Sequence, residues 1–197
     1  MYKSRLKRIL DIIGALFLLT ILSPIMVLIS VILLFFNKGQ IFFTQMRPGK
    51  DESPFLLYKF QTMKNLPENE VSEADRITRI GAVLRKTSLD EIPQLLNVLK
   101  GEMSLVGPRP LLMEYLPLYT DDQRKRHSVL PGITGWAQVN GRNSISWKEK
   151  FRLDVYYADN ISFWLDLKIL FITFFKVIAG KGVYNKERAI VEKYKGN

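Results

Sequence analysis

The longest unbroken apolar stretch of the chain lies near its start. After Lys3, Arg5, Lys7, Arg8 and Asp11, the run Ile12 to Phe36 carries no charge and is dominated by Ile, Leu, Val and Phe. As a helix it measures roughly 38 Å, more than the ~30 Å hydrocarbon core of a bilayer. The pattern predicts a membrane-inserted helix. It is too long for a cleaved signal peptide, and no small-residue cleavage site follows it. Ser23-Pro24 marks the midpoint, where proline kinks a helix and frees a carbonyl that the Ser23 hydroxyl can satisfy. Basic residues flank both ends, Lys3 to Arg8 before and Lys38, Arg47 and Lys50 after. A straight span puts one cluster on the wrong side of the positive-inside tendency, whereas a hairpin bent at Ser23-Pro24 keeps both in the cytoplasm. A plain single-pass anchor with a tolerated proline is the alternative.

From Ile41 the period shortens. Ile41 to Gln45 and Phe55 to Phe60 read as strands around a turn at Arg47-Pro48-Gly49-Lys50. Residues 64–75 are polar and acidic and predict a surface loop. Residues 76–86 predict a helix with Ile80, Val83 and Leu84 inward and Arg79, Arg85 and Lys86 available to anions. Gly101 ends a short apolar helix carrying Leu95, Leu96, Val98 and Leu99. Residues 110–127 also read as helical. A second apolar segment, residues 161–179, is interrupted by Asp166, Lys168 and Lys176, which is costly for a span. With Trp164 and several Phe it reads as a helix lying on the membrane surface, or else as a core helix. From Gly180 the tail is polar and basic and is expected to be poorly ordered or to lie on the surface. The predicted class is α+β, mostly helical, with a small β-hairpin. Residues 1–38 form the membrane element, 39–180 a globular domain that includes the surface helix near 161–179, and 181–197 the tail.

The formal net charge of +10 points to anionic partners. The absence of Cys excludes thiolate zinc sites and disulfides, and a single His, His127, excludes histidine metal clusters. His127 reads as a surface or structural histidine, since no second His or acidic partner marks it as a general base. No Walker or Rossmann phosphate loop is present.

Two blocks carry candidate chemistry. The first, Thr87 to Pro110 (T-S-L-D-E-I-P-Q-L-L-N-V-L-K-G-E-M-S-L-V-G-P-R-P), sets Asp90 and Glu91 at the start of the short helix and Arg109 between two prolines. Ser88 and Glu91 fit a capping box, but Asp90 as the cap places Pro93 harmlessly in the first turn and is preferred. Ionised carboxylates there can bind a divalent cation or attack phosphorus, or merely cap the helix. The second block, Pro131 to Arg142 (P-G-I-T-G-W-A-Q-V-N-G-R), offers a stacking face in Trp136 and polar contacts in Gln138, Asn140 and Arg142. It also fits a β-hairpin with Trp136 to Val139 as one arm and Asn140-Gly141 as the turn.

Together with T-R-I-G-A-V-L-R (Thr78 to Arg85), these blocks resemble the signature of the bacterial sugar transferases, the monotopic phosphoglycosyl transferase superfamily. The resemblance covers nearly the whole chain. It implies transfer of a sugar 1-phosphate from a UDP-sugar to undecaprenyl phosphate with release of UMP, as the first membrane step of glycan assembly. It further implies that Asp90 forms a covalent phosphosugar and that Glu91, with Asp90, holds Mg²⁺. Arg85, Arg109 and Arg142 are the implied phosphate contacts. Lys59, in Y-K-F-Q-T-M, lies in an element close to the family's active site, or is a surface lysine on an edge strand. Asp154, in L-D-V-Y-Y, becomes an active-site acid, or is a helix-surface aspartate. Gln61 and Leu130 stand where the family carries basic residues. A re-entrant N-terminal helix, the cytoplasmic face of the bacterial inner membrane, anionic lipid and downstream glycosyltransferases complete the implied setting. Nucleic acid is not an expected partner, and the continuation G-R-N-S-I-S-W is most similar to small members using diacetylbacillosamine. N-acetylgalactosamine, N-acetylglucosamine and galactose are the other donors. The competing class is a basic, non-enzymatic membrane adaptor or nucleic-acid binder.

Overall fold

The computed structural model describes residues 2–37, 39–64, 73–141, 144–179 and 193–196. It is mostly helical, with two small two-stranded sheets. Helix α1 (Lys7–Phe36) is the one described helix long and apolar enough to cross a membrane, with a mean hydropathy of 2.8. Pro24 deprives the Thr20 carbonyl of its helical donor, and Ser23 Oγ donates to that oxygen at 2.9 Å, as the sequence led us to expect.

Both ends of α1 are fastened to the rest of the protein. At the start, Arg8 donates to the carbonyls of Val98 and Leu99 at 2.5 and 2.9 Å, and Asp11 Oδ1 accepts from Leu105 N at 3.0 Å. Lys7 Nζ lies 2.7 Å from Asp166 Oδ2, which also accepts from Tyr2 Oη at 2.6 Å. At the far end, Ile29 and Leu33 are buried with Phe60 and Leu84, and Asn37 Nδ2 donates to the Gln61 carbonyl at 3.0 Å. Lys7 and Arg8, read from sequence as topology charges, are therefore used in interior contacts.

Strands β1 (Phe42–Pro48) and β2 (Pro54–Phe60) form an antiparallel hairpin in the register Phe42↔Phe60 to Pro48↔Pro54. The turn starts two residues later than predicted and occupies residues 49–53. The face of β2 carrying Phe55 and Leu57 meets Ile92, Leu95 and Val98 in the core, and Lys59 continues that face. Helix α2 (Glu73–Arg76) follows, and most of the predicted 64–75 loop lies outside the described residues. Helix α3 (Arg79–Thr87) buries Gly81 and Leu84, but Val83 is 59% exposed and not inward, because the packed face is centred on Gly81. A Cβ on Gly81 would stand 2.0 Å from the Thr62 carbonyl oxygen.

Helix α4 (Gln94–Lys100) ends at Gly101 (φ 90°), as the sequence indicated. Its fully buried Asn97 is the hinge between α4 and the hairpin. Asn97 Oδ1 accepts from Tyr58 N at 3.1 Å, and Nδ2 donates to Leu56 O and Glu102 Oε2, both at 2.7 Å. The outer edge of β2 is thus paired by a side chain. Asn97→Ala strands these groups, and we expect a loss of about 3 kcal/mol, read as a lower denaturation midpoint in detergent.

Strand β3 (Ser104–Val106) pairs in parallel with β4 (Gly132–Thr134). Residues 110–127 are not one helix. Helix α5 (Asp121–Arg124) is flanked by 3-10 turns at Met113–Leu118 and Lys125–Ser128, and Pro117 interrupts the region. Residues Trp136–Val139 form helix α6 rather than a β arm, since the available ladder is taken by Gly132–Thr134 pairing with β3. Helix α7 (Trp147–Asp159) and helix α8 (Phe163–Ile178) close the domain. Helix α8 buries Asp166 and Ile169 and exposes Trp164, Phe171, Phe174 and Ile178. Residues 180–192 of the predicted tail lie outside the described residues, but Tyr194 is not a surface residue. It is buried among Tyr115, Tyr119, Phe151 and Trp147.

Candidate active site

The two informative blocks meet because their glycines let main chains touch. A Cβ on Gly107 would lie 2.4 Å from the Leu130 carbonyl oxygen and 2.8 Å from Gly132 N. Gly107 N donates to Thr134 O at 2.8 Å, and Gly132 N donates to Pro108 O at 2.9 Å. The Pro-Arg-Pro turn is thereby set against β4.

The carboxylates do not cap α4. Ser88 adopts a left-handed conformation (φ 58°), a 3-10 turn spans Leu89–Glu91, and Pro93 occupies the N-cap of α4 without a side-chain bond. That turn swings Asp90 and Glu91 inward, each 7% exposed. Three cations face them. Lys59 Nζ lies 2.7 Å from Glu91 Oε1 and 4.0 Å from Asp90 Oδ2. Arg109 Nη2 lies 2.6 Å from Glu91 Oε1, with Nη1 at 3.5 Å from Oε2. Arg85 donates through Nε to Thr62 Oγ1 at 2.9 Å and acts electrostatically on Asp90. Lys59 is therefore no surface lysine.

The two acids differ. Glu91 is clamped by Lys59 and Arg109, whereas Asp90 has no hydrogen bond among the described residues. Burial raises the Asp90 pKa, while Lys59, Arg109 and Arg85 pull it back down. Glu91 raises the Arg109 pKa, and burial lowers that of Lys59. Negative charge at Asp90 thus rests on neighbouring cations, not on a helix terminus. Among the described residues, no group of three His, Cys, Asp or Glu could hold a metal. Two hard carboxylates suit Mg²⁺, whose remaining positions are commonly filled by substrate phosphates and water.

The other candidates separate. Trp136 is half-buried, packing on the exposed Tyr156 (6.4 Å between rings) and under Lys168 (5.3 Å). Asn140 Nδ2 donates to Trp136 O at 2.8 Å, closing α6. Both amide atoms of Gln138 are buried without a hydrogen-bond partner among the described residues. Arg142 lies outside the described residues. Asp154 is neither on a helix surface nor in contact with the dyad; it is fully buried against Arg126, with Arg126 Nη2 at 2.8 Å from Oδ2. Two cations escaped the sequence reading. Arg126 had no visible partner, its acid lying 28 positions away. Arg47, taken as a turn residue, is the next-to-last residue of β1, with its pKa lowered to about 10, mainly by burial and next by Arg109.

His127 is buried, which selects the structural reading over the surface one. Its Nδ1 donates to Gly49 O at 3.2 Å, and Nε2 is buried without a partner among the described residues. Burial lowers its pKa to about 4. The unfolded chain, titrating near 6.5, then binds the proton first as pH falls. Stability is full above about pH 6.5 and is lost as pH drops through about 4, by on the order of 3 kcal/mol. We expect thermal midpoints of His127→Asn, whose amide nitrogen replaces Nδ1, to fall less over that window than those of the wild type.

The residues flanking this buried acid pair, Leu89 and Ile92, pack along the long apolar helix, and the cations clustered over the pair suit phosphorylated groups near a membrane. The sequence profile of the bacterial sugar transferases matches residues 2–180, and the chain belongs to that family. It is 51% identical to an uncharacterized sugar transferase, EpsL, of Bacillus subtilis (strain 168), over 98% of this chain and 96% of that protein. It is 39% identical to the UDP-glucose:undecaprenyl-phosphate glucose-1-phosphate transferase of Escherichia coli (strain K12), over 91% of this chain but 41% of that one. Identity to the exopolysaccharide production protein ExoY of Rhizobium meliloti (strain 1021) is 35%, over 90% and 88%. The chain thus spans nearly all of some relatives and about two fifths of others.

Proposed function

We propose that this protein transfers a sugar 1-phosphate from a UDP-sugar to undecaprenyl phosphate, through a phosphosugar carried on Asp90. The observation that carries this reading is the contrast within the dyad. Glu91 is held by two cations, while the neighbouring Asp90 is buried, faced by positive charge and free of hydrogen bonds among the described residues. An Asp90 oxygen attacks the sugar-linked phosphorus, the bond from phosphorus to the bridging oxygen breaks, and UMP leaves. An oxygen of undecaprenyl phosphate then attacks the same phosphorus and frees Asp90. Neither step needs a proton acceptor, which suits a site without a catalytic histidine. Arg109, Lys59 and Arg85 offset charge on the phosphates. Asp90 and Glu91 are the residues that would hold Mg²⁺, which when bound supplies further neutralisation of the diphosphate.

The membrane elements suit this acceptor, whose phosphate stays at the interface. Both ends of α1 touch the domain, which supports the re-entrant reading, because a straight span carries one end away from it. The aromatic outer face of α8 supports an interfacial helix on the cytoplasmic side. The chain has no Cys, so Arg5→Cys and Gln40→Cys are clean single labels. In inverted inner-membrane vesicles we expect an impermeant maleimide to label both. A straight span labels only one.

The donor is a UDP-linked hexose or N-acetylated amino sugar. The test is turnover in detergent with Mg²⁺, undecaprenyl phosphate and UDP-glucose, UDP-galactose, UDP-N-acetylglucosamine, UDP-N-acetylgalactosamine or UDP-diacetylbacillosamine. UMP and a lipid-linked sugar diphosphate are expected with one of them. Release of UDP instead, which marks glycosyl transfer, overturns the reading.

A further inference from the structure

Arg109 sits on a turn that cannot hold itself in place. Pro108 and Pro110 have no N–H, so the turn is anchored through its carbonyls. Pro108 O accepts from Gly132 N at 2.9 Å. Arg109 O accepts from Arg126 Nη2 at 2.6 Å. The same guanidinium donates to Asp154 Oδ2 through Nη2 at 2.8 Å and Nε at 3.1 Å. The pair is sealed, with Arg126 and Asp154 each 2% exposed. The ring centroids of Tyr119 and Phe151 lie 6.0 and 5.9 Å from the guanidinium carbon. Asp154 Oδ1 has no hydrogen-bond partner among the described residues. Replacing a buried ion pair by apolar residues of similar volume is often neutral or stabilising, so stability alone is a weak reason for this one. Its geometry leads to the main chain of Arg109, whose side chain reaches Glu91 at 2.6 Å.

We propose that Arg126 and Asp154 are positioning residues for the transfer reaction: Asp154 orients the Arg126 guanidinium, which fixes the Arg109 carbonyl and so the aim of Arg109 at Glu91 and the substrate phosphates. Asp154 thereby acts through two other residues and touches no reacting atom. This inference rests on the proposed transfer, and the experiment separates the two.

The test is a double-mutant cycle on UMP release, with kcat and KM measured for the accepted UDP-sugar. Arg126→Lys keeps the charge that Asp154 needs but loses the fork that serves two acceptors. A misplacement of about 1 Å can cost about a hundredfold in rate. We expect kcat to fall ten- to a hundredfold with KM little changed. In an Arg109→Met background the same change is expected to cost less than twofold, because the group it aims is gone. The paired Arg126→Met, Asp154→Leu variant removes the tether without stranding a charge. It is expected to keep its thermal midpoint within a few degrees and to repeat the kinetic loss; it decides the matter where Arg126→Lys does not fold. Equal losses with and without Arg109, or no loss from either change, overturn the proposal. Absence of UMP release by the wild type overturns the transfer reading instead.

Discussion

Asp90→Asn is expected to lower kcat for UMP release by about four orders of magnitude while leaving the folded protein at least as stable. The size follows from losing the nucleophile, where single removals reach about 10⁴ to 10⁶ in enzymes with covalent intermediates. The unchanged or improved stability follows from the site. Burial opposes the Asp90 charge, and Asn has the same shape without that cost. Lys59 keeps Glu91 at 2.7 Å, so its ammonium is not stranded. Steady-state kinetics and a thermal midpoint on the same preparation check both halves. A tenfold loss, or a loss that tracks unfolding, does not fit a nucleophile.

Arg109→Met is expected to cost about a thousandfold in kcat/KM. Arginines that stabilise transferring phosphoryl groups contribute about 10³ to 10⁵. This one is pre-aimed, because its carbonyl is bonded by Arg126 and its guanidinium by Glu91. Arg109→Lys restores the charge but not the two-pronged contact, and about tenfold recovery is expected. Lys59 prevents Glu91 from becoming an isolated buried charge, so Arg109→Met remains folded. Kinetics across a Mg²⁺ titration check this, and a loss fully rescued by excess Mg²⁺ shows that Arg109 only screens charge.

The legible parts were those set by local chemistry. The apolar run, the hairpin strands, the stop at Gly101 and the Ser23–Thr20 contact follow from periodicity, backbone freedom and one missing N–H. The two motif blocks were legible as well, though not the reason they occur together, which is main-chain contact between Gly107 and Gly132. What escaped depends on partners distant in sequence. Nothing local marks Asn97, whose partners Leu56 and Tyr58 come from β2, 41 and 39 positions away. Asp154 could be an active-site acid or a helix-surface aspartate, and nothing in the sequence pairs it with Arg126, 28 positions away. Lys59 could face either way until its strand packed Phe55 and Leu57 inward. The left-handed Ser88 broke the capping pattern that Asp90 and Glu91 seemed to match. Trp136 to Val139 has strand-like residues, but Gly132–Thr134 had already taken the available ladder.

The central claim is the covalent phosphosugar on Asp90, and intact mass tests it most directly. Purified protein in detergent is mixed with Mg²⁺ and each UDP-sugar, without undecaprenyl phosphate, beside Asp90→Asn. The account requires an added mass of one sugar phosphate with one donor, absent from the variant and lost when undecaprenyl phosphate is added. Turnover with the acceptor but no adduct under any donor contradicts it, and assigns Asp90 to the metal and the reaction to direct transfer.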